Sequence, residues 1–209
     1  MVRVKICGVT NVADAQLCAD LGAHAVGLNF YPESPRAISP FTAEKIVQAL
    51  PPFVSTAGIF VNWAPEPVVA LSQALGLNFA QLHGDETPQV VSVVARKIPV
   101  IKAVRLEQGS PLPPLSKFRD ASAFLLDTAG SNEFGGTGRT TDWQVAQRAA
   151  RSQRIILAGG LTPENVAEAI LTVRPYAVDV ASGVEFRPGK KDHGKLRAFF
   201  HEVNRANQL

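Results

Sequence analysis

Eight short apolar and β-branched runs alternate with seven stretches of helical period, and this alternation predicts an α/β protein folded as a (β/α)8 TIM-type barrel. The runs lie at roughly 2–6, 24–30, 54–61, 77–82, 98–104, 122–127, 154–158 and 176–181. Several are nearly continuous in apolar character, such as Ala25-Val26-Gly27-Leu28 and Arg154-Ile155-Ile156-Leu157-Ala158, as parallel strands covered on both faces are. A chain of 209 residues with 46% hydrophobic content can bury one full core, so a single compact domain over 1–209 is expected. An open doubly wound sheet is the alternative, and the number of repeats favours closure.

The helices between the strands carry start signals. Expected helices lie near 11–21, 41–49, 66–75, 88–95, 142–151, 163–172 and 192–206. Ser39-Pro40, Thr87-Pro88 and Thr162-Pro163 each place a hydroxyl at the N-cap and proline at the first helical position, where a missing N–H costs nothing. Thr141-Asp142-Trp143-Gln144 reads as a capping box. After the fifth strand, Gly109-Ser110-Pro111-Leu112-Pro113-Pro114 forbids a long helix, so that crossover is short or irregular. Lys5-Ile6-Cys7-Gly8-Val9-Thr10 and Leu157-Ala158-Gly159-Gly160-Leu161-Thr162 share a strand, a glycine, an apolar residue and a capping threonine, a hint of a repeated βα unit.

Composition narrows the function classes. The formal net charge is +3, from 21 basic and 18 acidic residues that are interspersed, without the basic and aromatic blocks of a nucleic-acid surface. A small anionic ligand fits this balance better than DNA. Two cysteines, Cys7 and Cys18, allow at most one disulfide, and a core of this size does not depend on one; a reducing, cytoplasmic setting is expected. No run approaches the roughly 18 apolar residues of a membrane span, and no leader segment is expected. Dinucleotide fingerprint, Walker loop, paired-cysteine zinc motif and His-x-x-x-His pattern are all missing, so no cofactor and no metal are expected.

In a parallel barrel the C-terminal ends of the strands converge on one mouth, and Cys7, Arg36, His83, Asp127 and Asp179 sit at or after such ends. Cys7 suits a general base, a nucleophile or a buried structural thiol. Its place just before a helix start favours a thiolate through the helix dipole. Cys18 lies on the apolar side of the first helix and reads as core. Asp127 ends Ala123-Phe124-Leu125-Leu126 and serves either chemistry or the capping of the next loop. Asp179 puts a charge inside an apolar strand and must meet a donor, an ion pair inside the barrel being one way to do so. Gly159-Gly160 after the seventh strand and Ser182-Gly183 after the eighth offer backbone N–H groups to a phosphate. Gly135-Gly136-Thr137-Gly138 reads either as a lid or as a plain loop. The cluster Arg187, Lys190, Lys191, Lys195 and Arg197 reads as a solvated helical face rather than a steering patch.

Taken in order, Lys5-Ile6-Cys7-Gly8, Ser34-Pro35-Arg36, Gln81-Leu82-His83-Gly84-Asp85-Glu86 and Gly135-Gly136-Thr137-Gly138 resemble the phosphoribosylanthranilate isomerase family. Leu157-Ala158-Gly159-Gly160-Leu161 with Asn165, Asp179-Val180-Ala181-Ser182-Gly183-Val184-Glu185 and Pro188-Gly189-Lys190-Lys191-Asp192 complete the pattern, which spans 5 to 192. The resemblance implies a monofunctional isomerase of tryptophan biosynthesis that performs an Amadori rearrangement on a small phosphorylated substrate. It implies Asp127 as general acid and Cys7 as general base. It further implies Arg36 on the anthranilate carboxylate, His83 lining the site, Asp179 assisting electrostatically, and Gly159, Gly160, Ser182 and Gly183 holding the phosphate. Leu28 and Asn29 stand where a more aromatic pattern is expected, and Ala181 replaces a common serine; both departures concern pocket shape alone.

Two competing readings stay open from the sequence. A related sugar-phosphate isomerase of histidine biosynthesis is disfavoured by Cys7, since that family uses aspartate there. A non-catalytic barrel that binds a phosphorylated metabolite is disfavoured by the presence of two proton carriers, because binding requires neither. Monomer and homodimer are equally compatible with the chain.

Overall fold

The computed structural model describes residues 1–106, 111–128 and 142–209. Eight parallel strands close into a barrel in chain order: β1 (Arg3–Ile6), β2 (Ala25–Asn29), β3 (Ser55–Phe60), β4 (Phe79–Leu82), β5 (Val100–Leu106), β6 (Ala123–Thr128), β7 (Ile155–Leu157) and β8 (Ala177–Val180). Closure is made by β1 and β8, in a register that sets Lys5 against Asp179 and Ile6 against Val180. Among the described residues, seven helices surround it: α1 (Val12–Asp20), α2 (Pro40–Ala49), α3 (Pro65–Ala74), α4 (Pro88–Ala95), α5 (Trp143–Ala150), α6 (Val166–Val173) and α7 (His193–Ala206).

Strand alternation divides the apolar residues into two cores. Ile101, Ala103, Ala123, Leu125, Ile156, Ala158 and Ala177 cluster inside the barrel. Their outward neighbours, among them Ile6, Val26, Leu28, Phe60, Leu82 and Leu126, pack with helix residues such as Ile46, Val68, Val91, Leu196 and Phe199. Fully burying side chains such as Phe60 and Phe199 stabilises the fold by roughly 1.5–3 kcal/mol each. Cys18 is wholly buried in this outer layer, and burial pushes its thiol up to about 12. It is core.

Capping follows the proline signals twice and departs from expectation twice. Ser39 accepts a hydrogen bond from Thr42 N and Thr87 from Val90 N, each with proline opening the helix. At α5 the cap is Asp142, which accepts from Gln144 N and Val145 N, and Thr141 lies outside the described residues. One carboxylate oxygen, Asp142 Oδ1, accepts both N–H groups. At α6 the regular helix begins at Val166, not at Pro163. Asn165 Oδ1 turns back to Thr162 N at 2.8 Å, its Nδ2 reaches Gly160 O at 2.9 Å, and residues 163–165 form a turn.

The crossover after β5 contains, among the described residues, one 3-10 turn at Leu115–Lys117, as its prolines require. The Gly135–Gly138 loop lies outside the described residues. Two short strands were not anticipated: β9 (Glu185–Arg187) and β10 (Lys190–Lys191) form an antiparallel hairpin between β8 and α7. Of the basic cluster read as a solvated helical face, Lys195 and Arg197 are exposed on α7, and Arg187 and Lys190 are exposed but on the hairpin; Lys191 departs from that reading, being 3% exposed with its Nζ on Cys7 O.

Candidate active site

Parity sends one face of every strand inward, and the interior residues of β6 and β8 extend upward to acids. Ala123 and Leu125 are interior, so Asp127 is interior; Ala177 is interior, so Asp179 is. Phe79 packs on the same cluster, which directs Gln81 and then His83 to the mouth. Lys5 meets Asp179 inside the barrel, and Cys7 stands two residues above it, one residue past the end of β1.

Asp127 is 6% exposed, and its Oδ1 accepts a hydrogen bond of 2.8 Å from Thr128 N. Its Oδ2 lies 3.3 Å from His83 Nε2, close but out of line for a hydrogen bond. The other ring nitrogen of His83 is 2.8 Å from Gln81 Nε2. Asp127 shares a small cleft with Gly159, Gly160, Asp179 and Ser182, so five of the residues singled out from the sequence line one space. Gly159 and Gly160 have φ of 82° and 63°, a left-handed pair that side chains other than glycine adopt only with strain. Gly183 is required for another reason: a Cβ there would lie 1.9 Å from Leu161 O. The loops after β7 and β8 therefore touch backbone to backbone.

Buried charges pin the rim. Asp179 finds its donor in Lys5, Nζ to Oδ1 at 2.8 Å, with both side chains under 10% exposed. The partner demanded by burial is thus an ion pair inside the barrel. Lys191 Nζ donates to Cys7 O at 2.6 Å, Ala181 O at 3.2 Å and Glu185 Oε1 at 3.0 Å, stapling the ends of β1 and β8 to the hairpin. Glu185 also grips Arg36, whose Nε donates at 3.0 and 3.1 Å and whose Nη2 donates at 2.7 Å. The fork geometry fixes the guanidinium plane. Arg36 lies over the Cys7-Gly8 turn, since a Cβ on Gly8 would come 2.5 Å from Arg36 Cδ. On the far side, Lys102 Nζ donates to Gly84 O and Glu86 Oε2, each at 2.7 Å, and Glu86 accepts from Asn62 N and Gly84 N, which clamps the loop carrying His83.

Burial sets the state of Cys7 more than the helix dipole does. The thiol is pushed above its usual range, first by burial and next by the Asp179 charge, while Lys5 and then Lys191 pull it back. The expected help from a helix is weak because α1 begins at Val12, five residues on, with Asn11 as its cap. The proximity of Lys5 takes that place.

A family model described as N-(5'phosphoribosyl)anthranilate (PRA) isomerase matches residues 4–202. The chain belongs to this family. It is 50% identical over 202 residues to the N-(5'-phosphoribosyl)anthranilate isomerase of Pelobacter propionicus, covering 95% of this chain and 94% of that one. The crystal structure of the Thermus thermophilus phosphoribosyl anthranilate isomerase superposes with a TM-score of 0.89 at 43% identity, over 98% of this chain and 99% of that one. A phosphoribosyl anthranilate isomerase solved in complex with reduced 1-(o-carboxyphenylamino)-1-deoxyribulose 5-phosphate matches with a TM-score of 0.82 at 42% identity, over 100% of each chain. Among the isomerase's described residues, no helix is long and apolar enough to cross a membrane.

Sequence reading missed the residues that hold the isomerase's rim in place: Lys5, Gln81, Lys102, Glu185 and Lys191. Lys5 and Lys102 each interrupt an apolar strand, and a lysine in such a run requires a buried anion. That signal was available from the sequence. The choice of anion was not.

Proposed function

We propose that the chain converts N-(5-phosphoribosyl)anthranilate to 1-(2-carboxyphenylamino)-1-deoxyribulose 5-phosphate, an Amadori rearrangement of tryptophan biosynthesis. The observation that supports this reading best is the placement of Cys7 and Asp127, inward at the ends of β1 and β6, around one mouth within a family match over 4–202.

Asp127, as the carboxylic acid, gives its proton to the ribose ring oxygen. The C1′–O bond breaks, and the nitrogen lone pair forms the Schiff base. Cys7, as thiolate, removes the C2′ proton, and that electron pair becomes the C1′–C2′ double bond of the enolamine. Return of a proton to C1′, with loss of the enol proton, gives the ketone. No electrons enter or leave, so the protein supplies position and proton transfer. Arg36, held flat by Glu185, receives the anthranilate carboxylate, and His83 lines the ring's approach. The N–H groups about Gly159, Gly160, Ser182 and Gly183 take the phosphate, with Asp179 acting through Lys5.

Fluorescence tests this directly. The substrate is generated in situ, the purified chain is added, and loss of substrate fluorescence is followed. Rapid loss is expected, with Cys7→Ala and Asp127→Asn each lowering turnover by roughly 10²–10⁴-fold while the circular dichroism spectrum is kept. Near-normal turnover in either variant removes that residue from the mechanism. No loss of fluorescence, with phosphate ligands still bound, makes the chain a binding module.

A further inference from the structure

Inside the barrel one ammonium stands between two acids. Lys5 is 3% exposed and pairs with Asp179 at 2.8 Å, yet its strand parity also places it directly beneath Cys7, about 7 Å along the same inward face. A lysine stem spans that distance. Gly27 of β2 makes room for the sulfur: a Cβ there would lie 2.9 Å from Cys7 Sγ and 3.1 Å from Ile59 Cδ1. The sulfur is thereby walled by apolar groups on the β2 and β3 side, and its charged surroundings come from elsewhere.

We propose that Lys5 is the positioning residue that makes the Cys7 thiolate accessible, and that Asp179 opposes it by competing for the same ammonium. This rests on the reading of Cys7 as the general base. The charged groups around Cys7 can be named element by element. Lys5 lies on its own strand, Asp179 on β8, and Lys191 on β10 bonds the Cys7 carbonyl oxygen; Arg36, after β2, pairs with Glu185. Lys191 shares that one Glu185 carboxylate at 3.0 Å, so the Arg36–Glu185–Lys191 group keeps one net positive charge, and Lys191 also favours the thiolate. Lys5 outranks Lys191 in favouring the thiolate, and Asp179 is the charged group that disfavours it. With Cys7 protonated, Lys5 and Asp179 form a neutral pair. When Cys7 loses its proton, the ammonium is shared between two anions, and the cluster of Lys5, Asp179 and the half-buried Cys7 carries one negative charge. Removing Lys5 therefore makes the thiolate harder to form, whereas removing the Asp179 charge makes it easier.

The signature is a pair of shifts of opposite sign, read without any substrate. Alkylation of Cys7 by iodoacetamide, quantified by mass spectrometry of the Cys7 peptide across pH 6 to 11, reports the thiolate fraction, because only the thiolate reacts. Lys5→Gln is expected to move the profile to higher pH, slowing alkylation at neutral pH about tenfold for each unit moved. Asp179→Asn is expected to move it to lower pH, and Lys5→Arg to restore most of the reactivity. An unmoved profile in folded Lys5→Gln overturns the proposal. Should Lys5→Gln fail to fold, Asp179→Asn decides alone, since it keeps the cation, and an unmoved or upward profile overturns the proposal equally. The alkylation result stands apart from the role of Cys7: full turnover in Cys7→Ala sinks the base assignment and leaves the profile untouched.

Discussion

The two ends of the barrel obey the same strand parity and hold opposite chemistry. At the mouth, the inward positions are Cys7, His83, Asp127 and, one layer lower, Asp179 with Lys5; the ion pairs Lys191–Glu185–Arg36 and Lys102–Glu86 brace the loops around them. At the floor, Ala25, Ser55, Ala57, Ala123 and Ala177 line a mainly apolar bowl beside the larger Phe79, Ile101 and Ile156, rimmed by Arg3, Arg154, Tyr176 and a Phe53 that is 98% exposed. Arg3 there stacks on Tyr176, 4.3 Å from the ring centroid. Buried acids are costly, and the chain accepts that cost at the end where βα loops can wrap them with donors. The difference teaches that the mouth is organised by compensation of charge, not by packing.

The largest break in that comparison is expected at Gly183. Gly183→Ala forces a Cβ against Leu161 O, a backbone atom that cannot move aside, and so separates the loops after β7 and β8. Steady-state kinetics should show KM for the phosphorylated substrate raised at least about tenfold, the loss of one or more backbone hydrogen bonds to a charged group. An unchanged KM would remove these loops from phosphate binding.

A smaller effect is expected where α1 is tied to the hairpin. Asp14 Oδ2 accepts from Asn11 Nδ2 at 2.7 Å and from Lys191 N at 3.1 Å, and Oδ1 lies 3.1 Å from His193 Nε2. Burial works against ionisation of this carboxyl, but the Asn11 amide, the Lys191 N–H and His193 outweigh it and hold it below the usual carboxylate range. A depressed value means that the fold prefers the ionised form, so the stabilisation is complete above the unfolded value, near pH 4, and is lost as the pH falls through the folded value. Asp14→Asn should cost about 1–3 kcal/mol in urea unfolding at pH 7. The gap between variant and parent should close below about pH 4. A constant gap across that range would mean that the charge is not what binds the hairpin.

The smallest effect is expected at the floor. Phe53→Ser should leave kcat and KM within about twofold, because the N-terminal face of such a barrel serves stability and not chemistry. A large change in kcat would show that floor and mouth are coupled.

Much of this molecule was readable before folding was considered. The eight strands fall within the expected runs, apart from β5 and β6, which extend past theirs to Leu106 and Thr128, and Ser39-Pro40 and Thr87-Pro88 start α2 and α4 as their chemistry requires. Strand ends also announced Cys7, His83, Asp127 and Asp179, since parallel strands share one direction and bring their C-terminal ends together. Less legible were α6, whose start moved three residues because Asn165 spends its side chain on Thr162 and Gly160, and the β9–β10 hairpin, too short to show a period.

The sequence by itself determined the alternation, the barrel and which residues stand at its mouth, because those follow from local period and strand direction. Only the tertiary structure decided which charge meets which. Lys5 faces Asp179 across 174 positions of chain, and Arg36 faces Glu185 across 149. Such pairs depend on barrel register, a property of closure that no local pattern encodes.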